Sequence, residues 1–71
     1  MAFYEVLVQR PWGGPRVGAR VRLADDRVES VEGETDREGR VVIECRARVV
    51  ELFVDGRSQG FVRPGTTLVT R

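Results

Sequence analysis

Residues 13–20 read GGPRVGAR, and Gly13 and Gly18 enclose four residues, the opening spacing of a phosphate-binding loop. That chemistry needs Lys and then Ser or Thr directly after the second glycine, in a loop that opens a helix whose backbone N–H groups cradle the phosphates. Here Ala19 and Arg20 take those places, Pro15 lacks an N–H, and the chain runs on as the alternating RVRL. The stretch reads as a turn entering a strand.

Other reactive side chains are few. The chain holds no histidine, and all twelve basic residues are arginine. Cys45 therefore has no histidine or lysine to lower its pKa, and it falls on the apolar parity of its strand, where a small buried hydrophobe is expected. Ser30 and Ser58 lack a general base for the same reason. The loop carboxylates Asp25–Asp26 and Asp36–Glu38 offer two or three oxygens each, short of the 6–8 that calcium takes. One thiol and no imidazole make a poor zinc set. The residues predict no catalytic group, no metal and no cofactor, and hence no enzyme.

Twelve basic residues face eleven acidic ones, a net charge of +1. Arg20, Arg22, Arg40, Arg46 and Arg48 are interleaved with Glu29, Glu32, Glu34, Glu44 and Glu51, which reads as a solvated, edge-protecting face. Nucleic-acid binders draw affinity from excess positive charge and stack bases on strand aromatics; QGFVRPG supplies Phe61 alone. A small nucleic-acid-binding β-barrel is the alternative to the reading developed below.

These residues must be positioned by strands. Val is frequent, apolar residues alternate, and turn signals recur every eight to twelve residues or so, as in all-β folds. Seven strands are expected, over about residues 3–9, 19–24, 27–35, 40–46, 49–54, 59–63 and 66–70. Asp25–Asp26 can close a hairpin that sets Arg22 opposite Glu29. Gly33 suggests a bulge or bend. Asp36-Arg37-Glu38-Gly39 is a capped turn, and Asp55-Gly56 is a two-residue hairpin turn. The first and last strands are candidate unpaired edges.

Two aromatics resist simple placement. Trp12 sits in the turn RPWGGPRV; either it folds over one end of the core or it marks a contact surface. Phe53 shares a strand parity with Val49 and Glu51, opposite to Val50, Leu52 and Val54; it either fills a gap or faces a partner. Trp12, Val49 and Phe53 are the protein-contact candidates.

The stretch GGPRVGARVRL, followed by GETDREGR and VVI, resembles the carboxypeptidase regulatory-like domains of transthyretin-like architecture. The matching positions are Gly14, Val17, Gly18, Ala19, Val21, Leu23, Gly33, Thr35, Asp36 and Gly39, over about residues 6–43, and VVELFVDGRSQG agrees loosely with the family's final strands. The resemblance implies a seven-stranded antiparallel Greek-key β-sandwich, transthyretin-like or Ig-like. Catalytic or cross-linking relatives rely on histidine, lysine or metal-binding His and Tyr sets. With no histidine and no lysine in this chain, the resemblance implies the non-catalytic roles.

Seventy-one residues suit one domain, 1–71, with a marginal core and no internal disulfide, since Cys45 is the one cysteine. No segment nears the ~20 apolar residues of a membrane span, and the N-terminus lacks a signal-peptide pattern. Synthesis in the cytoplasm is expected. The functional expectation is a structural or protein-binding module that self-associates or joins a larger assembly, such as a bacteriophage virion (decoration, neck or tail accessory protein). No small-molecule substrate or membrane is indicated.

Overall fold

A computed structural model describes residues 2–25, 30–65 and 67–70. It is all-β, with eight strands: β1 (Ala2–Arg10), β2 (Gly13–Pro15), β3 (Arg20–Ala24), β4 (Val31–Glu34), β5 (Arg40–Cys45), β6 (Val50–Val54), β7 (Arg57–Val62) and β8 (Thr67–Thr70). No helix among the described residues is long and apolar enough to cross a membrane.

The strands form two four-stranded sheets. In the first, β1 is central, antiparallel to β5 and parallel to β8, and the short β2 pairs with its C-terminal end. The second runs β4-β3-β6-β7, antiparallel throughout. Period-two alternation sends Tyr4, Val6 and Val8 of β1, Ile43 and Cys45 of β5, Val21 and Leu23 of β3, and Val50, Leu52 and Val54 of β6 into one shared core. Each such Val or Leu, once fully buried, contributes roughly 1.5–3 kcal/mol of transfer free energy. Tyr4 is the largest buried side chain, and its hydroxyl donates to the Ala47 carbonyl at 2.7 Å. Burial, and after it the neighbouring Cys45 and Asp25, push the Tyr4 pKa up, which keeps that donor protonated.

Several expectations are corrected. The described residues form eight strands rather than seven, because Gly13–Pro15 folds back onto Gln9 and Arg10. The first strand is no edge: β1 is paired on both sides, whereas β8 is paired along one. Arg22 pairs with Glu32, not with the expected Glu29, and Leu23 pairs with Val31; Glu29 lies outside the described residues, as do Asp26 of the expected hairpin turn, Arg27 and Val28. Gly33 makes no bulge. Its pairing with Val21 is regular, and a Cβ there would stand 2.8 Å from Val41 Cγ2, so the glycine permits close approach of β4 to β5. The sixth expected strand begins earlier, at Arg57, because the Asp55-Gly56 turn leads straight into it, with φ of 50° and 82° at its two residues.

The Asp36–Gly39 turn forms as its residues require. Asp36 Oδ1 accepts from the amides of Glu38 at 2.8 Å and Arg40 at 3.1 Å, and the Gly39 N–H donates to the Asp36 carbonyl at 2.9 Å. These amides, with a lesser contribution from the Arg40 charge, hold the Asp36 carboxyl below its ordinary range.

Candidate functional site

Three surfaces are candidates for a functional site. The first is the outer face of the β8-β1-β5 sheet. On β1, Phe3, Glu5 and Leu7 point away from the core because Tyr4, Val6 and Val8 point into it. Register sets Phe3 beside Glu44, Glu5 between Val42 and Thr67, and Leu7 between Arg40 and Val69. Phe3, Val42 and Val69 are 61%, 49% and 56% exposed. The polar groups among them are largely matched to one another. Glu5 pairs with Arg40 and accepts from the Thr67 hydroxyl at 2.6 Å, and the Thr67 and Arg40 hydrogen bonds lower its pKa.

The second surface is the outer face of the β4-β3-β6-β7 sheet, where two of the expected contact residues lie. Phe53 faces outward as its parity predicts, but it is half-covered: the Arg22 guanidinium lies 4.1 Å from its ring centroid. Val49 is partly exposed, just before β6. Phe61, beside Glu51 across the ladder, is more exposed than either, and Ser58 donates to Glu51 at 2.6 Å. Arg22 stands opposite Glu32, and Arg20 opposite Glu34, so this face carries alternating charge. The solvated reading of those arginines holds for this pair of strands.

The third surface is a cleft of about 640 Å³ at one end of the molecule, between the β1–β2 and β6–β7 turns. Trp12 forms one wall and is 78% exposed, so it does not close over the core. Arg10 lies over the indole, 5.7 Å from its centroid. Arg16 pairs with Asp55, whose other carboxylate oxygen accepts from the Arg20 amide at 3.0 Å. The Asp55 amide donates back to the Arg20 carbonyl at 2.8 Å, which pins this turn to β3. Arg57 also lines the cleft and makes no ion pair among the described residues.

The structure thus separates Trp12, at the end cleft, from Phe53 on β6 of the second sheet and Val49 just before that strand. The apolar face built from Phe3, Leu7, Val42 and Val69 went unnoticed in the sequence. Its signal was present: FYEVLV and VVI are apolar on both parities, so each strand has hydrophobic side chains left over for an outer face.

Chemically reactive groups do not converge. Cys45 is a free thiol, buried in the core. Among the described residues, no three His, Cys, Asp or Glu side chains gather to hold a metal ion. The stretch GGPRVGAR contains β2 and the turn into β3, with Gly18 donating to the Thr35 carbonyl at 3.0 Å. No family model matches the chain, and no curated protein and no solved structure matches it either.

Proposed function

We propose that this chain is a non-catalytic protein-binding module whose first partner is a second copy of itself, seated on the outer face of the β8-β1-β5 sheet. The observation that carries the reading is the set of outward apolar side chains, Phe3, Leu7, Val42 and Val69, spread over three adjacent strands. Exposed hydrophobes grouped on one face mark contact surfaces, whereas isolated ones do not. A second copy suits the face because its charged groups are of both signs. Glu5 and Arg40 already satisfy each other, so a two-fold pairing buries no lone charge at their position, and a two-fold interface needs a self-complementary patch. A domain with so small a core also gains stability from burying more apolar surface.

A role as a subunit of a larger assembly, such as a virion, extends this reading, with the second sheet face and the end cleft left for other partners. The transthyretin-like Greek-key assignment is likewise a proposal. What supports it is that its motif positions have local structural reasons here: close approach at Gly33, a buried hydroxyl at Thr35, capping at Asp36 and positive φ at Gly39.

Sedimentation velocity over a concentration series tests the self-association. The wild-type chain is expected to move from monomer to dimer, and Val42→Glu to remain monomeric with an unchanged circular dichroism spectrum. A wild-type chain that stays monomeric up to millimolar concentration overturns the reading.

A further inference from the structure

We infer that the end cleft beside Trp12 is a binding site for a small anion that carries a flat ring as well as its charged group, with the nucleoside monophosphates as simple members of the class. This does not rest on the proposed self-association, which uses a different surface.

Charge supports the anion. The cleft is lined by Arg10, Arg16 and Arg57 against the one carboxylate of Asp55. That carboxylate is already engaged by Arg16 and the Arg20 amide. Arg10 donates through Nε to the Pro15 carbonyl at 3.4 Å, and neither Arg10 nor Arg57 makes an ion pair among the described residues. The site is therefore locally positive in a chain whose overall charge is only +1. Guanidinium groups match phosphate oxygens in paired, planar hydrogen bonds.

Shape and chemistry supply the rest of the ligand. Trp12 is 78% exposed at the cleft wall even with Arg10 over its ring at 5.7 Å, so indole surface remains on which a flat ring stacks whatever its substituents, with a guanidinium beside it. Val17 and Val54 give the cleft apolar lining, and Gln9 and Gln59 add amide donors and acceptors. A volume of about 640 Å³ falls in the range of small-ligand sites, which combine an apolar lining with a few directed polar groups. The walls are set in advance. The Asp55-Gly56 turn is pinned to Arg20 by two hydrogen bonds, and the β1–β2 turn is held by the pairing of Gln9 with Pro15. The second groove, beside Arg20 and Arg22, lacks this character, because Glu32 and Glu34 line it too.

Trp12 is the chain's one tryptophan, so its fluorescence reports the site directly. Titration of the full chain with adenosine monophosphate is expected to give saturable quenching. Adenosine alone and inorganic phosphate alone should each bind at least about tenfold more weakly, since each lacks one of the two contacts. Arg57→Ala should weaken adenosine monophosphate by about tenfold or more, through loss of a charged hydrogen bond, with the fold intact by circular dichroism. Arg46→Ala, a cation outside the cleft, should leave the affinity unchanged. A short single-stranded oligonucleotide identifies the source: binding tighter than the mononucleotide, with the same dependence on Arg57, assigns the ligand to a strand rather than a free nucleotide. Quenching that never saturates overturns the proposal, and so does an affinity equal in wild type and Arg57→Ala. Phosphate binding as tight as the nucleotide overturns the flat-ring part.

Discussion

Thr35 and Ala19 hold each other through two hydrogen bonds: the Ala19 amide donates to Thr35 Oγ1 at 2.9 Å, and the Thr35 amide donates to the Ala19 carbonyl at 3.0 Å. The Thr35 hydroxyl in turn donates a hydrogen bond to the Arg16 carbonyl at 2.5 Å. Thr35 is 5% exposed, and Ala19 beside it is 2% exposed. The hydroxyl therefore extends the β3–β4 pairing beyond Glu34 and ties the turn before β3 to it.

Thr35→Val tests that tie. The variant keeps the shape and leaves the Ala19 amide and the Arg16 carbonyl without their partner. Unsatisfied buried groups predict a loss of about 1–3 kcal/mol in urea unfolding. Thr35→Ser retains the oxygen and should lose less than the valine variant. Equal losses for the two would show that packing of the methyl, not the hydroxyl, matters.

Gly39 should tolerate no side chain. Its φ is +76°, and a Cβ would meet the Val8 carbonyl oxygen at 2.6 Å and the Arg16 amide at 3.0 Å. Those atoms are backbone, held by the Val8–Gly39 and Arg16–Val8 hydrogen bonds, so they cannot step aside cheaply. Gly39→Ala is expected to cost more than the roughly 1–2 kcal/mol of left-handed backbone alone. Gly18→Ala, at φ +74° with open space around it, should cost about that amount and no more. Similar denaturation midpoints for the two variants would contradict the close approach.

Acid should weaken the fold through Asp36 and Glu5. Both carboxyls have folded-state pKa values lowered by hydrogen bonds, Asp36 by the Arg40 and Glu38 amides and Glu5 by Thr67 and Arg40. A lowered folded pKa gives stability that is present above the unfolded pKa, about 4, and is lost as pH falls through the folded one. The urea midpoint is thus expected to be level near neutrality and to fall below about pH 4. Asp36→Asn should lower the neutral midpoint and flatten the acid limb. An acid limb identical to wild type would remove Asp36 as a cause.

Cys45 should be slow to modify. It is 3% exposed on the inward side of β5, beside Ala2 in the ladder. A thiol reagent should react at a rate set by opening of the fold, and fast once denaturant is added. Equal rates with and without denaturant would place the thiol outside the core.

Phe53→Glu should leave self-association intact if the β8-β1-β5 face carries it. The variant trades the Arg22–Phe53 contact for an Arg–Glu pair on the other sheet, so only a small stability change is expected. Sedimentation of Phe53→Glu beside Val42→Glu separates the faces: loss of dimer in the former alone would move the contact to Phe53 and Val49.

Much of this fold is written in period-two alternation and turn chemistry, and those are local. The parity of Val50, Leu52 and Val54 against Val49, Glu51 and Phe53 is enough to say which side of β6 is buried. Asp36-to-Gly39 and Asp55-Gly56 dictate their turns because side-chain capping and positive φ act within four residues. The lack of histidine and lysine is a property of composition, so it too is readable without coordinates. What the tertiary structure alone decided is which strands meet. Pairing depends on partners far apart in the chain: β1 takes β8, more than fifty residues away, in parallel on one side and β5 on the other. Gly33 reads as a bulge until β5 is seen against it. The candidate sites depend on the same long-range choices. Phe3, Val42 and Val69 become one surface only when three strands are laid side by side. Trp12 and Arg57 become one cleft only when two turns from different sheets meet at the same end of the molecule.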